Sequence, residues 1–244
     1  MGKFTGCMCK FKTYFFLLFL SISTALTAQE KGLLDWFDAQ LGIENLGLYN
    51  GPEFLNIYKL EDNAHQFLET KDFRLGNVTY DDQTYTNVLL VYDLYEDQLI
   101  TRVQNQNGTT NQFLLLKEKV RCFSIDNRQF INFTNPRGSR DNSSGFYELL
   151  SANNVIKLYK KHRKRMSKVL KNSSVSYKFF EQKPEYFISI DRGIYPIKTR
   201  KDLMVLFPDH KKELSNYKWT SKNFNYNDAQ LIAAINQLEQ LLSL

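Results

Sequence analysis

The chain has 244 residues, and its 32 lysines and arginines outnumber its 26 acids by six. Three of those lysines, Lys3, Lys10 and Lys12, fall in the first 28 residues, which hold no acid. The other 216 residues therefore carry a net charge of only +3, which argues against a chain that is strongly basic throughout, while their number suffices for one large domain or two small ones.

The N-terminus has a basic start, the apolar run Tyr14-Phe15-Phe16-Leu17-Leu18-Phe19-Leu20, and then small residues up to Ala28-Gln29. This three-part plan predicts a secretory signal peptide over 1–28, cut near Ala28 or, because Leu26 is a poor residue before that cut, after Ala25. The run is shorter than the roughly 20 residues a permanent membrane helix needs, so no transmembrane segment is expected in the mature chain. Cys7 and Cys9 precede the run, which excludes them as lipidated N-terminal residues. Cys122 is then the single mature cysteine, expected to be a buried, inert thiol rather than a nucleophile.

From about Leu48 to Lys198, short segments rich in Val, Ile, Tyr, Phe and Thr alternate with Gly, Asn, Asp and Pro clusters, the pattern of antiparallel hairpins. Strands are predicted at Phe54–Leu60, Ala64–Thr70, Asn77–Tyr80, Thr84–Tyr92, Gln98–Gln104, Gln112–Leu116, Val120–Ile125, Gln129–Phe133, Gly145–Leu150, Val155–Tyr159, Tyr177–Glu181, Glu185–Ile190 and Ile194–Lys198. Asp126-Asn127, Ala152-Asn153-Asn154 and Asp191-Arg192-Gly193 supply turn residues that tolerate a left-handed backbone. Thr134–Ser144 and Lys171–Ser174 read as polar loops. Over 155–171 two periods compete: Val155, Lys157 and Tyr159 alternate as in a strand, whereas Ile156, Tyr159, Met166 and Leu170 line up as in a helix.

The last 45 residues change period. Asp202–Phe207 and His210–Trp219 predict short helices split by Pro208, with Asp209 as a cap. In Asp228–Leu242, the spacing of Leu231, Ile235, Leu238 and Leu242 puts all four on one helical face. The fold class expected is mainly β: a curved antiparallel sheet, as a half-open barrel or two-layer sandwich, over 29–198, with short helices of 199–244 packed on the same domain. Val88-Leu89-Leu90-Val91, apolar on both alternating faces, is expected to be a central strand covered by those helices on one side and by curled sheet on the other. The concave face of such a sheet could hold a hydrophobic ligand.

The acids of Val78–Ile100 raise the question of a catalytic or metal cluster. Asp81-Asp82 and Glu96-Asp97 both fall between predicted strands, and the alternate oxygen ligands, glycine and closing glutamate of a calcium loop are missing. They read as turn residues, although folding could still pair Asp93 or Asp81 with Asp97 as the two carboxylates of a glycoside hydrolase. His65, His162 and His210 lack metal-ligand spacing, and neither a nucleophile elbow nor a phosphate-binding glycine loop is present. No catalytic residue, metal or cofactor is assigned.

The stretch Lys157–Lys171, KLYKKHRKRMSKVLK, holds eight lysines and arginines and no acid. Lys157, Lys160, Lys161, Arg163, Lys164, Arg165 and Lys168 are the candidate residues for binding an anionic surface such as lipid headgroups. The opposing explanation is a solvated strand whose lysines guard a sheet edge. Nucleic acid is not an expected partner, because stacking aromatics are limited to Tyr159. An outer-membrane barrel is disfavoured by a chain that ends in an amphipathic helix rather than a closing strand.

Leu48-Tyr49-Asn50-Gly51-Pro52, Gly76–Tyr80, Tyr85–Val88, Leu90–Asp93, Gly145–Leu150 and Leu203–Phe207 resemble motifs of uncharacterised exported proteins of Bacteroidota. The resemblance covers most of the mature chain and implies a β-rich fold and an envelope location, in the periplasm or at the outer-membrane periphery. It carries no functional residues over. The function expected is that of a non-enzymatic accessory or binding subunit of an outer-membrane assembly, with peripheral membrane contact. The alternatives are a carrier of a lipid or other hydrophobic ligand and a carbohydrate-active hydrolase.

Overall fold

A computed structural model of the chain describes residues 47–104, 107–133, 144–171, 173–190, 193–218 and 228–242. The expected signal peptide, residues 134–143 of the polar loop, Asn172, Asp191, Arg192 and Trp219 lie outside these residues. The chain divides into two units, 1–50 and 51–244. The described part of the first is Gly47–Asn50, with a 3-10 turn at Gly47–Tyr49.

The second unit is built on strands β1 (Arg74–Tyr80), β2 (Gln83–Asp93), β3 (Gln98–Gln104), β4 (Thr110–Leu114), β5 (Val120–Ile125) and β6 (Arg128–Phe133). They continue as β7 (Gly145–Ala152), β8 (Ile156–Lys161), β9 (Lys164–Lys171), β10 (Ser174–Glu181), β11 (Glu185–Ile190) and β12 (Gly193–Ile197). Ten form one antiparallel sheet in the order β12-β11-β8-β7-β6-β5-β1-β2-β3-β4, and β9 and β10 form a separate hairpin. Asp81-Asp82 and Asp126-Asn127 join their strands as two-residue loops with φ of 51° and 63° at both sites. A left-handed backbone at both central residues matches the twist of a tight hairpin, and short polar side chains bear it at low cost.

The expected strands at Phe54–Leu60 and Ala64–Thr70 do not form. The segment makes only isolated bridges, Glu53 with Phe113, Leu60 with Tyr177 and Phe67 with Asp93. Asp62 and Glu69 take φ of 54° and 52°, which breaks an extended run, while Phe67 buries as an anchor. Between 155 and 171 the strand alternative holds on both sides of a break at His162-Arg163, giving β8 and β9.

Aromatic packing shows how far the sheet curls. The rings of Tyr92, Phe123, Phe130 and Phe146 are each 2% exposed or less. Tyr92 on β2 lies 5.6 Å from Phe146 on β7, centroid to centroid. Four strand steps separate β2 from β7, and at about 4.8 Å per step a flat sheet would put them roughly 19 Å apart. The sheet therefore bends around this cluster without closing, since β4 and β12 do not pair.

Two strands have four successive buried residues and so are covered on both faces there, β7 at Gly145, Phe146, Tyr147 and Glu148 and β2 at Leu90, Val91, Tyr92 and Asp93. The expectation that Val88–Val91 is covered on both sides thus holds, but not its central place or its helical cover: β2 lies third from one edge of the sheet, Val91 packs with Phe67 and Ile100, and the helices pack towards the other end. Those helices are α1 (Arg200–Leu206), α2 (Lys211–Asn216) and α3 (Asp228–Leu242). Leu231, Ile235 and Leu238 of α3 are at most 2% exposed and join Ile156, Leu158, Tyr186 and Ile188 in one apolar cluster. Each such side chain contributes about 2 kcal/mol by leaving water. Glu239 accepts hydrogen bonds from the Val155 and Ile156 N–H groups at 2.8 and 3.0 Å, which seats α3 on the β7–β8 turn.

Asp209 does not cap α2: it lies in the 3-10 turn Pro208–His210, and no side chain bonds the helix start. Asp202 instead secures α1, accepting the Thr199 N–H at 2.8 Å. Among the described residues no helix is long and apolar enough to cross a membrane.

Candidate functional site

The cationic stretch 157–171 divides at the break between β8 and β9. On β8 the alternation of a strand sends Lys160 and Lys161 to opposite faces. Lys160 Nζ is 2.7 Å from Asp228 Oδ2 at the start of α3. Lys161 is 1% exposed and belongs to no surface. Lys157 stays exposed, and Arg163 makes a loose pair with Glu185 at 3.6 Å. Lys164 turns inward and donates to the carbonyls of His65 and Phe67 at 3.0 and 2.7 Å. Of the candidate cations, Arg165 and Lys168 stand exposed on β9 together, joined by Lys171.

Lys161 reaches a partner that no local signal in the sequence indicates. Its Nζ donates to Asp97 Oδ2 and to the Phe146 carbonyl, both at 2.9 Å. Lys117 donates to the same Oδ2 at 2.6 Å, and the Tyr92 hydroxyl donates to Oδ1 at 2.5 Å. Burial pulls the Lys161 amine down to about 8, and Asp97 opposes the fall without cancelling it. The Tyr92 hydroxyl is pushed well above its usual range, chiefly by burial and then by the Asp97 charge. Asp97 lies between β2 and β3, five strand steps from β8, so the pair clasps the curl. Gly145, at φ +125°, makes room for it, because a Cβ there would collide with the Asp97 carboxylate and crowd the Lys161 amine.

The other acids of the opening question also have structural occupations. Asp93, 2% exposed, accepts the Tyr95 and Glu96 N–H groups at 2.8 and 3.0 Å. Burial raises its carboxyl, and those two hydrogen bonds work in the opposite direction. Asp81 sits in the β1–β2 turn, paired with Lys119 at 2.9 Å. The turn reading thus holds for Asp81 and Asp82, whereas Asp97 closes its turn and also reaches inward.

A second buried network lines a polar cleft of about 210 Å³. Glu148 of β7 is gripped by Arg128 through Nε at 2.7 Å and Nη2 at 2.9 Å, and by His162 Nε2 at 2.6 Å. Burial works to raise the Glu148 carboxyl, but the His162 and Arg128 bonds prevail and bring it down to about 2. The carboxylate is therefore ionised near neutrality, so the His162 Nε2–H is the donor. Arg128 Nη1 extends to Glu69 at 2.5 Å. Arg128, His162 and Glu69 line the cleft together with Lys160, Arg163, Glu181, Gln182 and the apolar Leu68, Leu94 and Pro184. Charged and polar side chains make up most of the lining, which suits a polar occupant.

Sequence reasoning missed Arg128, Glu148 and His162 as a group, and Lys117 and Tyr92 as partners of Asp97. One signal was present: Glu148 is a lone acid inside the apolar strand Gly145–Leu150, a position that requires a cationic partner. Cys122 is half-buried, 3.5 Å from the Thr79 hydroxyl, rather than fully buried. Among the described residues no three metal-ligating side chains converge. No protein-family model, curated protein or solved structure matches the chain.

Proposed function

We propose that the chain is an exported, non-enzymatic envelope protein that works by binding, as an accessory subunit of an outer-membrane assembly. The observation that carries this reading is the saturation of its buried acids. Asp97 is held by Tyr92, Lys117 and Lys161, Asp93 by backbone N–H groups, and Glu148 by Arg128 and His162. An acid that must give or take a proton needs a pKa near the working pH: Glu148 at about 2 is far from it, and Asp93, though raised by burial, is tied up by two backbone N–H groups. The N-terminal charge pattern and the resemblance to exported Bacteroidota proteins support the location.

Native mass spectrometry of the protein gently extracted from its host's envelope tests the reading. An added mass of protein size is expected and would identify the partner. A bare chain at every extraction strength would overturn it. Glycan hydrolysis by the purified protein that disappears in Asp97→Asn would favour the hydrolase instead.

A further inference from the structure

The hairpin β9–β10 stands apart from the ten-stranded sheet. Its span 164–181 holds five lysines and arginines, Lys164, Arg165, Lys168, Lys171 and Lys178, against the single acid Glu181. The end near Phe179 is anchored: the Phe179 ring lies 5.2 and 5.3 Å from the Tyr58 and Tyr95 rings, and its N–H donates to the Ala64 carbonyl. At the turn end, Leu170 and Val175 face each other across the ladder and are 74% and 45% exposed. Phe180, 38% exposed, has Arg165 and Lys178 over its ring at 5.7 and 5.6 Å.

Edge protection accounts for lysines on a strand but not for a cross-strand pair of exposed aliphatic side chains beside them. Lys168, on the same face as Leu170 and Val175, and Lys171, next to Leu170 in the chain, set cations beside an exposed apolar pair. That combination matches the boundary between anionic headgroups and acyl chains, where charge attracts and apolar area is buried. We propose that the turn end of the β9–β10 hairpin docks the protein on an anionic lipid surface, with Leu170 and Val175 entering the headgroup boundary and Lys168 and Lys171 meeting the headgroups. Glu61, which pairs with Lys171 and accepts a hydrogen bond from Ser176, and the exposed Asp62 are acids at this end, and Lys171 exchanges Glu61 for lipid on docking. This inference rests on the binding reading above and names the surface.

The test is vesicle flotation with protein purified from its host, using phosphatidylcholine alone and with about one-third phosphatidylglycerol. Binding to the anionic vesicles only is expected, falling about fivefold for Lys168→Ala and again for Lys171→Ala. The double variant Leu170→Ser/Val175→Ser is expected to lose about tenfold or more at unchanged salt, with an unchanged melting temperature. The proposal is overturned by absent binding, by equal binding to neutral vesicles, or by a double variant that floats like the parent. It is also overturned if the variants release a protein partner while leaving flotation intact. Failed flotation leaves the accessory-subunit reading standing, and a protein absent from the envelope fraction removes that reading without touching the vesicle result.

Discussion

β8 and β9 come from one unbroken cationic stretch, yet they occupy opposite environments. On β8, Lys161 is sealed inside the curl with Asp97, and Lys160 is committed to Asp228. On β9, Arg165 and Lys168 stay in solvent, Lys168 on the same face as Leu170. The difference arises from topology: β8 is an interior strand hydrogen-bonded to β7 and β11, whereas β9 pairs with β10 alone among the described strands. A run of like charges is thus not one functional unit, because the strand that carries each lysine decides whether it is structure or surface.

The sharpest way to break this contrast is to remove the partner of the buried amine. Asp97→Ala leaves Lys161 uncompensated and should cost about 3–5 kcal/mol in urea unfolding. Lys161→Met should cost less, about 1–2 kcal/mol, because Asp97 loses one of three donors and keeps Lys117 and Tyr92, and the Phe146 carbonyl loses the Lys161 donor. Equal losses in the two variants would contradict the clasp.

Acid should act through Glu148 next. Its folded pKa of about 2 lies below the ordinary 4.5, so its stabilisation is fully present above pH 4.5 and disappears as pH falls through 2. The difference amounts to about 3 kcal/mol. Glu148→Gln should flatten that part of the stability profile measured by urea titration.

Lys161 should give the reverse sign at alkaline pH. Its folded pKa of about 8 lies below 10.5, so the unfolded chain binds more protons between those values. The parent should therefore gain stability relative to Lys161→Met as pH rises from 8 to 10.5, by about 2–3 kcal/mol. On β9 the effects should be smallest: Lys168→Ala and Leu170→Ser should each shift stability by no more than about 0.5 kcal/mol.

Much of the sheet was legible because its signals are local. Asp81-Asp82 and Asp126-Asn127 mark hairpins by their own backbone preference, and the spacing of Leu231, Ile235 and Leu238 places α3 within its observed limits. Segment 54–70 misled because Phe54, Tyr58 and Phe67 have strand-forming side chains, while the left-handed Asp62 and Glu69 that break the run carry no distinct signal. The polar networks were least legible. Lys161 meets Asp97 across 64 residues, and Arg128 meets Glu148 across 20, contacts that only the curl and the strand order create.

The most direct test of the central contrast is amine-reactive labelling of the native protein near pH 7.5, read lysine by lysine by mass spectrometry. Lys168 should react at the rate of a free lysine, whereas Lys161 should stay unmodified until the chain is unfolded in urea. Labelling of Lys161 at the rate of Lys168 in the folded protein would contradict the partition and remove the clasp with it.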